Sequence, residues 1–138
     1  MSVIASQLLL FFDISLSQLP SSKIHTSIQH VFLNQKVMNI HHMQGTYDRY
    51  FGLMGVHQWP INHALLFDDQ SRSFWMRNVP IGLDLVFFDK NQCVLDFKRA
   101  IPYSHSQIKA PPEARFTLEL GSGAVEYYRI KKGGCLTK

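Results

Sequence analysis

The feature that most restricts the fold is a pair of apolar segments, residues 83–88 and 93–99, separated by Asp89, Lys90, Asn91 and Gln92. Four polar residues suit a hairpin turn and are too few for the crossover that parallel neighbours require. A third segment, residues 115–120, alternates strictly, with Phe116, Leu118 and Leu120 on one face and Arg115, Thr117 and Glu119 on the other. Such period-two patterning belongs to strands. Residues 28–33 and 36–41 make a further expected hairpin about Asn34 and Gln35, and residues 65–67 and 73–76 flank a polar turn at Asp68, Asp69, Gln70 and Ser71. The chain is therefore expected to be mainly β. Helix is expected only in the N-terminal segment, near residues 47–54, and over residues 124–130, where Gly121 and Gly123 precede and Gly133 and Gly134 follow. Residues 135–137 would add a last short strand.

A length of 138 residues with 46% hydrophobic and 17% charged side chains fits one globular domain and excludes a disordered chain. Residues 24–138 are assigned to a single β domain and residues 1–23 to an apolar N-terminal extension. That extension holds the block Leu8, Leu9, Leu10, Phe11 and Phe12, but no cation precedes Lys23 and Asp13 cuts the apolar run short. A membrane span, which needs about 20 apolar residues, is excluded, and the usual positively charged start of a secretory signal is missing. The extension is read as a docked arm, contacting the domain, a protein partner or a second copy of the chain, or else as a degenerate targeting segment.

Charge is uneven. Residues 97–138 carry eight Lys and Arg against three Glu, whereas residues 1–96 carry six against seven acids. Because the cations interleave with apolar residues, an ordinary solvated face is preferred over a nucleic-acid surface. Cys93 and Cys135 form no C-x-x-C motif. They are expected to be two small buried thiols, a disulfide being the alternative in an oxidising compartment, and the cytoplasm is favoured over a secreted or periplasmic location. Adjacent His41 and His42 point to opposite strand faces and cannot share an ion, while His57 and His63 have no specific ligand spacing. Surface or capping histidines are expected, with no metal and no cofactor. Neither the run Ser104, His105, Ser106 nor any glycine-rich phosphate loop supplies a catalytic or nucleotide motif.

The stretches Arg49-Tyr50-Phe51-Gly52-Leu53-Met54, Leu65-Leu66-Phe67, Phe74-Trp75-Met76-Arg77-Asn78, Leu83-Asp84-Leu85-Val86-Phe87-Phe88-Asp89 and Leu118-Glu119-Leu120 with Gly123 resemble, in order and spacing, the bacterial and archaeal family called domain of unknown function 192. The resemblance covers roughly residues 28–136. It implies a compact single-domain barrel or jelly-roll-like sandwich with one or two short helices, in a family without an established activity. The chain departs from the pattern at Phe51, where an Arg is usual, at Gly55 and Val56, which replace an aromatic-Arg pair, at Val79 for Thr, at Gly82 for Pro and at Gly134 for Asp.

Phe74, Trp75 and Met76 are large enough to centre a small core, and Gly52 and Gly123 suit backbone angles that other residues avoid. Asp84 shares a strand face with Val86 and Phe88, so its carboxylate needs a partner. The candidates are Arg49, Arg77 and Asn78. Together with Asp84 they form the candidate ligand-binding set, expected to converge in one polar cluster. No catalytic residue is assigned, and the favoured function is a non-enzymatic module that binds a small ligand or a protein partner. Two alternatives stand beside it, a small hydrolase using Asp84 with a histidine and an accessory subunit docked through residues 1–23.

Overall fold

The computed structural model describes residues 28–136. The expectations for residues 1–23 lie outside them. The strands are β1 Ile28–Leu33, β2 Lys36–His42, β3 His63–Asp68, β4 Ser73–Phe74, β5 Leu83–Phe88, β6 Val94–Ala100, β7 Ile108–Lys109 and β8 Phe116–Gly121, and the helices are α1 Gly45–Phe51 and α2 Ala124–Tyr127. The fold is mainly β. Six strands form one sheet in the order β1-β2-β3-β8-β5-β6, and β4 pairs with β7 in a separate ribbon. No closed barrel is formed among the described residues.

Both expected hairpins occur, and each has a local cause. Asn34 and Gln35 join β1 to β2 with φ of 51° and 66°, the paired positive angles of a two-residue turn that follows the strand twist. Between β5 and β6, the Asp89 carboxylate accepts from the backbone N–H groups of Asn91 at 2.8 Å and Cys93 at 3.0 Å. A side chain that satisfies its own loop makes that turn cheap. The pairing has one irregularity, a register shift between Phe87 and Phe88.

The remaining connections are less local. β2 and β3 run parallel, so the chain must cross over between them, and residues 43–62, with α1, form that crossing. β3 and β4 flank the polar turn as expected, yet they belong to different sheets. α1 begins and ends earlier than residues 47–54, and α2 is shorter than residues 124–130.

The sheet is covered on both faces. Met38, Ile40, Val86, Phe88, Leu118 and Leu120 meet Val125 and Tyr128 on one side, whereas Leu65, Phe67, Leu83, Leu85 and Phe87 meet Leu53, Phe74 and Met76 on the other. β5 is buried along its whole length, which is why its sequence is nearly all apolar. Trp75 departs from the core expected for residues 74–76: it is 37% exposed while its neighbours are buried, because a strand end turns its middle residue outward.

The expectation of two buried thiols is also corrected. Cys93 and Cys135 form a disulfide with an S–S distance of 2.02 Å, and Cys135 is exposed. Only a single bridge, Cys93 to Cys135, replaces the expected closing strand. Around it Val94 N–H donates to Gly134 at 2.7 Å and Leu136 N–H to Gln92 at 2.9 Å, so the C-terminal segment lies against the start of β6.

Candidate functional site

α1 buries none of its residues and ends at Gly52, whose φ of 45° and ψ of −122° suit only glycine. The helix is therefore held by the residues after it. Leu53 is fully buried, Val56 N–H donates to Leu53, and Gly55 N–H donates to the Asn78 carbonyl at 2.8 Å. That last bond ties the crossing to a second turn, in which Val79 N–H donates to Met76 and Asn78 sits at φ 59°. Asparagine tolerates this left-handed conformation better than most residues. Asn78 thus has a backbone role.

Between the two turns lies a cavity of about 300 Å³, whose polar wall includes Arg49, Arg77, Gln107 and Glu119 and whose aromatic wall includes Tyr50 and Trp75. The rings of Tyr50 and Trp75 meet edge to face at 6.0 Å, and the Arg77 guanidinium stands 5.7 Å from the Trp75 ring centre. Two of the positions at which the sequence departs from the family pattern, Phe51 and Val79, also line it. Both side chains add to its apolar wall.

Glu119 is the residue the sequence pattern did not single out. It is on the β8 face opposite Leu118 and Leu120, and only 7% of it is exposed, because a second layer covers that face too. A Cβ at Gly52 would stand 3.6 Å from its Oε2 oxygen, so Gly52 packs directly beside the carboxylate.

Of the four candidate residues, the structure brings Arg49 and Arg77 to one cavity, and Asn78 and Asp84 are not in its lining. Asp84 does share the face of Val86 and Phe88, as read from the sequence, and that is the opposite side of the sheet from Leu53 and Phe74. Its Oδ1 accepts from Arg99 Nε at 3.2 Å, and its Oδ2 accepts from the N–H groups of Gly123 at 3.1 Å and Val125 at 3.0 Å. The partners expected for it, Arg49, Arg77 and Asn78, are replaced by a neighbouring strand and a backbone turn.

The histidines hold a second correction. His41 and His63 are buried, not superficial, and His41 Nε2 lies 2.8 Å from His63 Nδ1 with the rings stacked. Parallel pairing of β2 and β3 sets Asn39 opposite His63, and this offset brings the two rings together. No group of three or more metal-ligating side chains occurs among the described residues. Burial pushes His41 below the ordinary imidazole value of 6.5. The unfolded chain then binds a proton that the folded chain refuses, so stability is complete above pH 6.5 and falls as the pH drops below it. Urea unfolding should show a loss approaching ~1.4 kcal/mol per pH unit from this group until its folded-state value is passed. His41→Gln should flatten that slope.

Comparison with known sequences fits this architecture. The sequence model of DUF192, described as an uncharacterized ACR family, matches residues 28–137. The chain belongs to the DUF192 family. No curated protein matches it. Among solved structures, a "putative transcription regulator" from Sinorhizobium meliloti 1021 superposes with a TM-score of 0.69 at 23% identity, covering 78% of this chain and 88% of that one. A protein of unknown function from Novosphingobium aromaticivorans DSM 12444 gives 0.70 at 19% identity, covering 87% and 99%. At these identities the likeness concerns the fold. Within the DUF192 match lie the cavity, the disulfide and the Asp84 bonds alike.

Proposed function

We propose that this DUF192 domain is a non-enzymatic module that binds a small organic anion in the cavity between α1 and the turn at residues 76–79. The observation that carries this reading is the convergence of Arg49 and Arg77, from separate elements, on one concave site with an aromatic wall. Guanidinium groups recognise carboxylates and phosphates through paired donors, and an apolar wall with a few polar groups is the usual make-up of a ligand site. A volume of about 300 Å³ favours a small metabolite over a nucleotide or polymer. The hydrolase alternative has less support, since both oxygens of Asp84 are engaged by Arg99, Gly123 and Val125.

Nucleic acid is not the proposed partner, although one structural neighbour carries a regulator's description. Several cations of the basic end are matched: Lys132 lies 3.3 Å from Asp96 and Arg99 lies 2.7 Å from Glu126. The disulfide favours an oxidising compartment over the cytoplasm first expected, because cytosolic thiols are normally kept reduced. Among the described residues no helix is long and apolar enough to cross a membrane.

Native mass spectrometry of the purified chain should reveal any retained ligand, and calorimetric titration with a panel of small carboxylic acids should give saturable binding. The double variant Arg49→Ala, Arg77→Ala should bind at least about tenfold more weakly, with stability changed by no more than ~1 kcal/mol, since Arg77 is exposed and Arg49 is half-buried on a helix that buries none of its residues. Equal binding by the variant, or no binding by any acid, refutes the reading.

A further inference from the structure

The cavity adjoins a strip of aromatic rings. Tyr47 meets Phe51 at 4.4 Å between ring centres, Phe51 meets Tyr50 at 4.9 Å and Tyr50 meets Trp75 at 6.0 Å, so four rings run without a break from α1 to the end of β4. Tyr50, Phe51 and Trp75 line the cavity, and Tyr47 extends the strip past the lining. The core does not account for these rings, because α1 buries none of its residues. Exposed large hydrophobic side chains also gather here. Among the described residues they are Tyr47, Tyr50, Trp75, Ile101 and Tyr103, and the last two belong to a loop tied to the 76–79 turn, where Tyr103 N–H donates to the Val79 carbonyl at 3.0 Å. Exposed apolar surface collected in one place marks an interaction site.

Resting on the organic-anion reading above, we infer that the site selects aromatic monocarboxylic acids of the arylacetic and arylpropionic class, with the carboxylate on Arg49 and Arg77 and the ring against Tyr50 and Trp75. The Arg77 guanidinium is 5.7 Å from the Trp75 ring centre. A carboxylate held by that guanidinium, with a ring one or two methylenes away, brings the ring within the roughly 4.5 to 7 Å at which aromatic pairs form. A small polar diacid can use the same arginines, but its second carboxylate would lose water against the ring wall without a replacement bond. An aryl acid instead buries apolar area there, and its ring makes the offset or edge-to-face contacts that a saturated ring cannot.

The test is a calorimetric titration of the full chain, in non-reducing buffer, with 3-phenylpropionate and indole-3-acetate. The comparison ligands are acetate and succinate, 3-phenylpropanol, which lacks the charge, and 3-cyclohexylpropionate, which lacks the aromatic ring. Both aryl acids should bind about ten- to a hundredfold more tightly than acetate, succinate and 3-phenylpropanol, and 3-phenylpropionate about two- to tenfold more tightly than 3-cyclohexylpropionate. In Trp75→Leu, which keeps an apolar side chain, that last ratio should fall to about one while acetate and succinate titrate as before. Tyr50→Leu should lower the same ratio, so the readout survives if one of the two variants fails to fold. An unchanged ratio in the folded variants would overturn the inference. Acetate or succinate binding as tightly as the aryl acids, or the saturated ring as tightly as the aromatic one, would overturn it too and leave the organic-anion reading standing. Absence of binding by every acid would overturn both.

Discussion

Asp84→Ala is expected to destabilise the domain by roughly 3 to 5 kcal/mol, the range for removing one partner from a buried, charged hydrogen-bond network. Asp84 is 1% exposed, and its carboxylate is the acceptor for two backbone N–H groups at the entry to α2, on Gly123 and Val125. An alanine there leaves both donors without this acceptor and opens space beside Val86 and Val125. Arg99 tells a different story. Its side chain is 57% exposed and keeps a second partner in Glu126, so Arg99→Gln should have a much smaller effect. Asp84→Asn, which retains one acceptor oxygen, should fall between them. Chemical denaturation of the three variants checks the order, and a larger loss from Arg99→Gln than from Asp84→Ala would show that the ion pair outweighs the backbone bonds. Because Asp84 lies on the face of the sheet away from the cavity, ligand binding by the folded Asp84→Asn variant should be unchanged.

Opening the disulfide has an expected effect of similar size. Cys93 and Cys135 are 42 residues apart, and loop-closure entropy for that separation gives about 4 kcal/mol of stabilisation through the unfolded chain. The segment it encloses includes β6, β7, β8 and α2, so the bond restricts strands of both sheets as well as the Asp84 cap. Thermal melts with and without reductant, and of the Cys93→Ala, Cys135→Ala double variant, should agree on a drop of that order. A double variant that melts with the oxidised protein would refute the pairing. Reduction should also release the 133–136 segment from β6 first, because its remaining ties are a few backbone bonds to Gln92 and Val94 and the packing of one half-buried side chain, Leu136. Faster amide exchange at Val94 and Leu136 than at Val86 would show it.

What the sequence determined by itself was local. The turn at residues 89–92 closes on its own Asp89 carboxylate, the turn at Asn34 and Gln35 uses residues that accept positive φ, and the alternation of β8 sorts its side chains between two faces. The orientation of Asp84 with Val86 and Phe88 was legible for the same reason, since successive strand residues must point to opposite sides. Family membership was legible too, from the signature stretches, which lie in the segments that build these turns and both cores. Tertiary structure decided the partners. Counting back symmetrically across the 89–92 turn sets Asp84 against Phe97, whereas Phe88 already pairs one residue further on, with Val94, and the irregularity between Phe87 and Phe88 adds a second residue of offset, which sets Asp84 against Arg99. Glu119 looked like a residue on the polar face of β8, and it became a buried carboxylate because residues far away in sequence, Leu53, Phe74 and Met76 among them, close over that face. His41 and His63 met only because β2 and β3 pair in parallel across the crossing that carries α1. Alternation fixes which side of a strand a residue faces, but what waits on that side depends on long-range packing, and one unpaired residue in a hairpin is enough to change it.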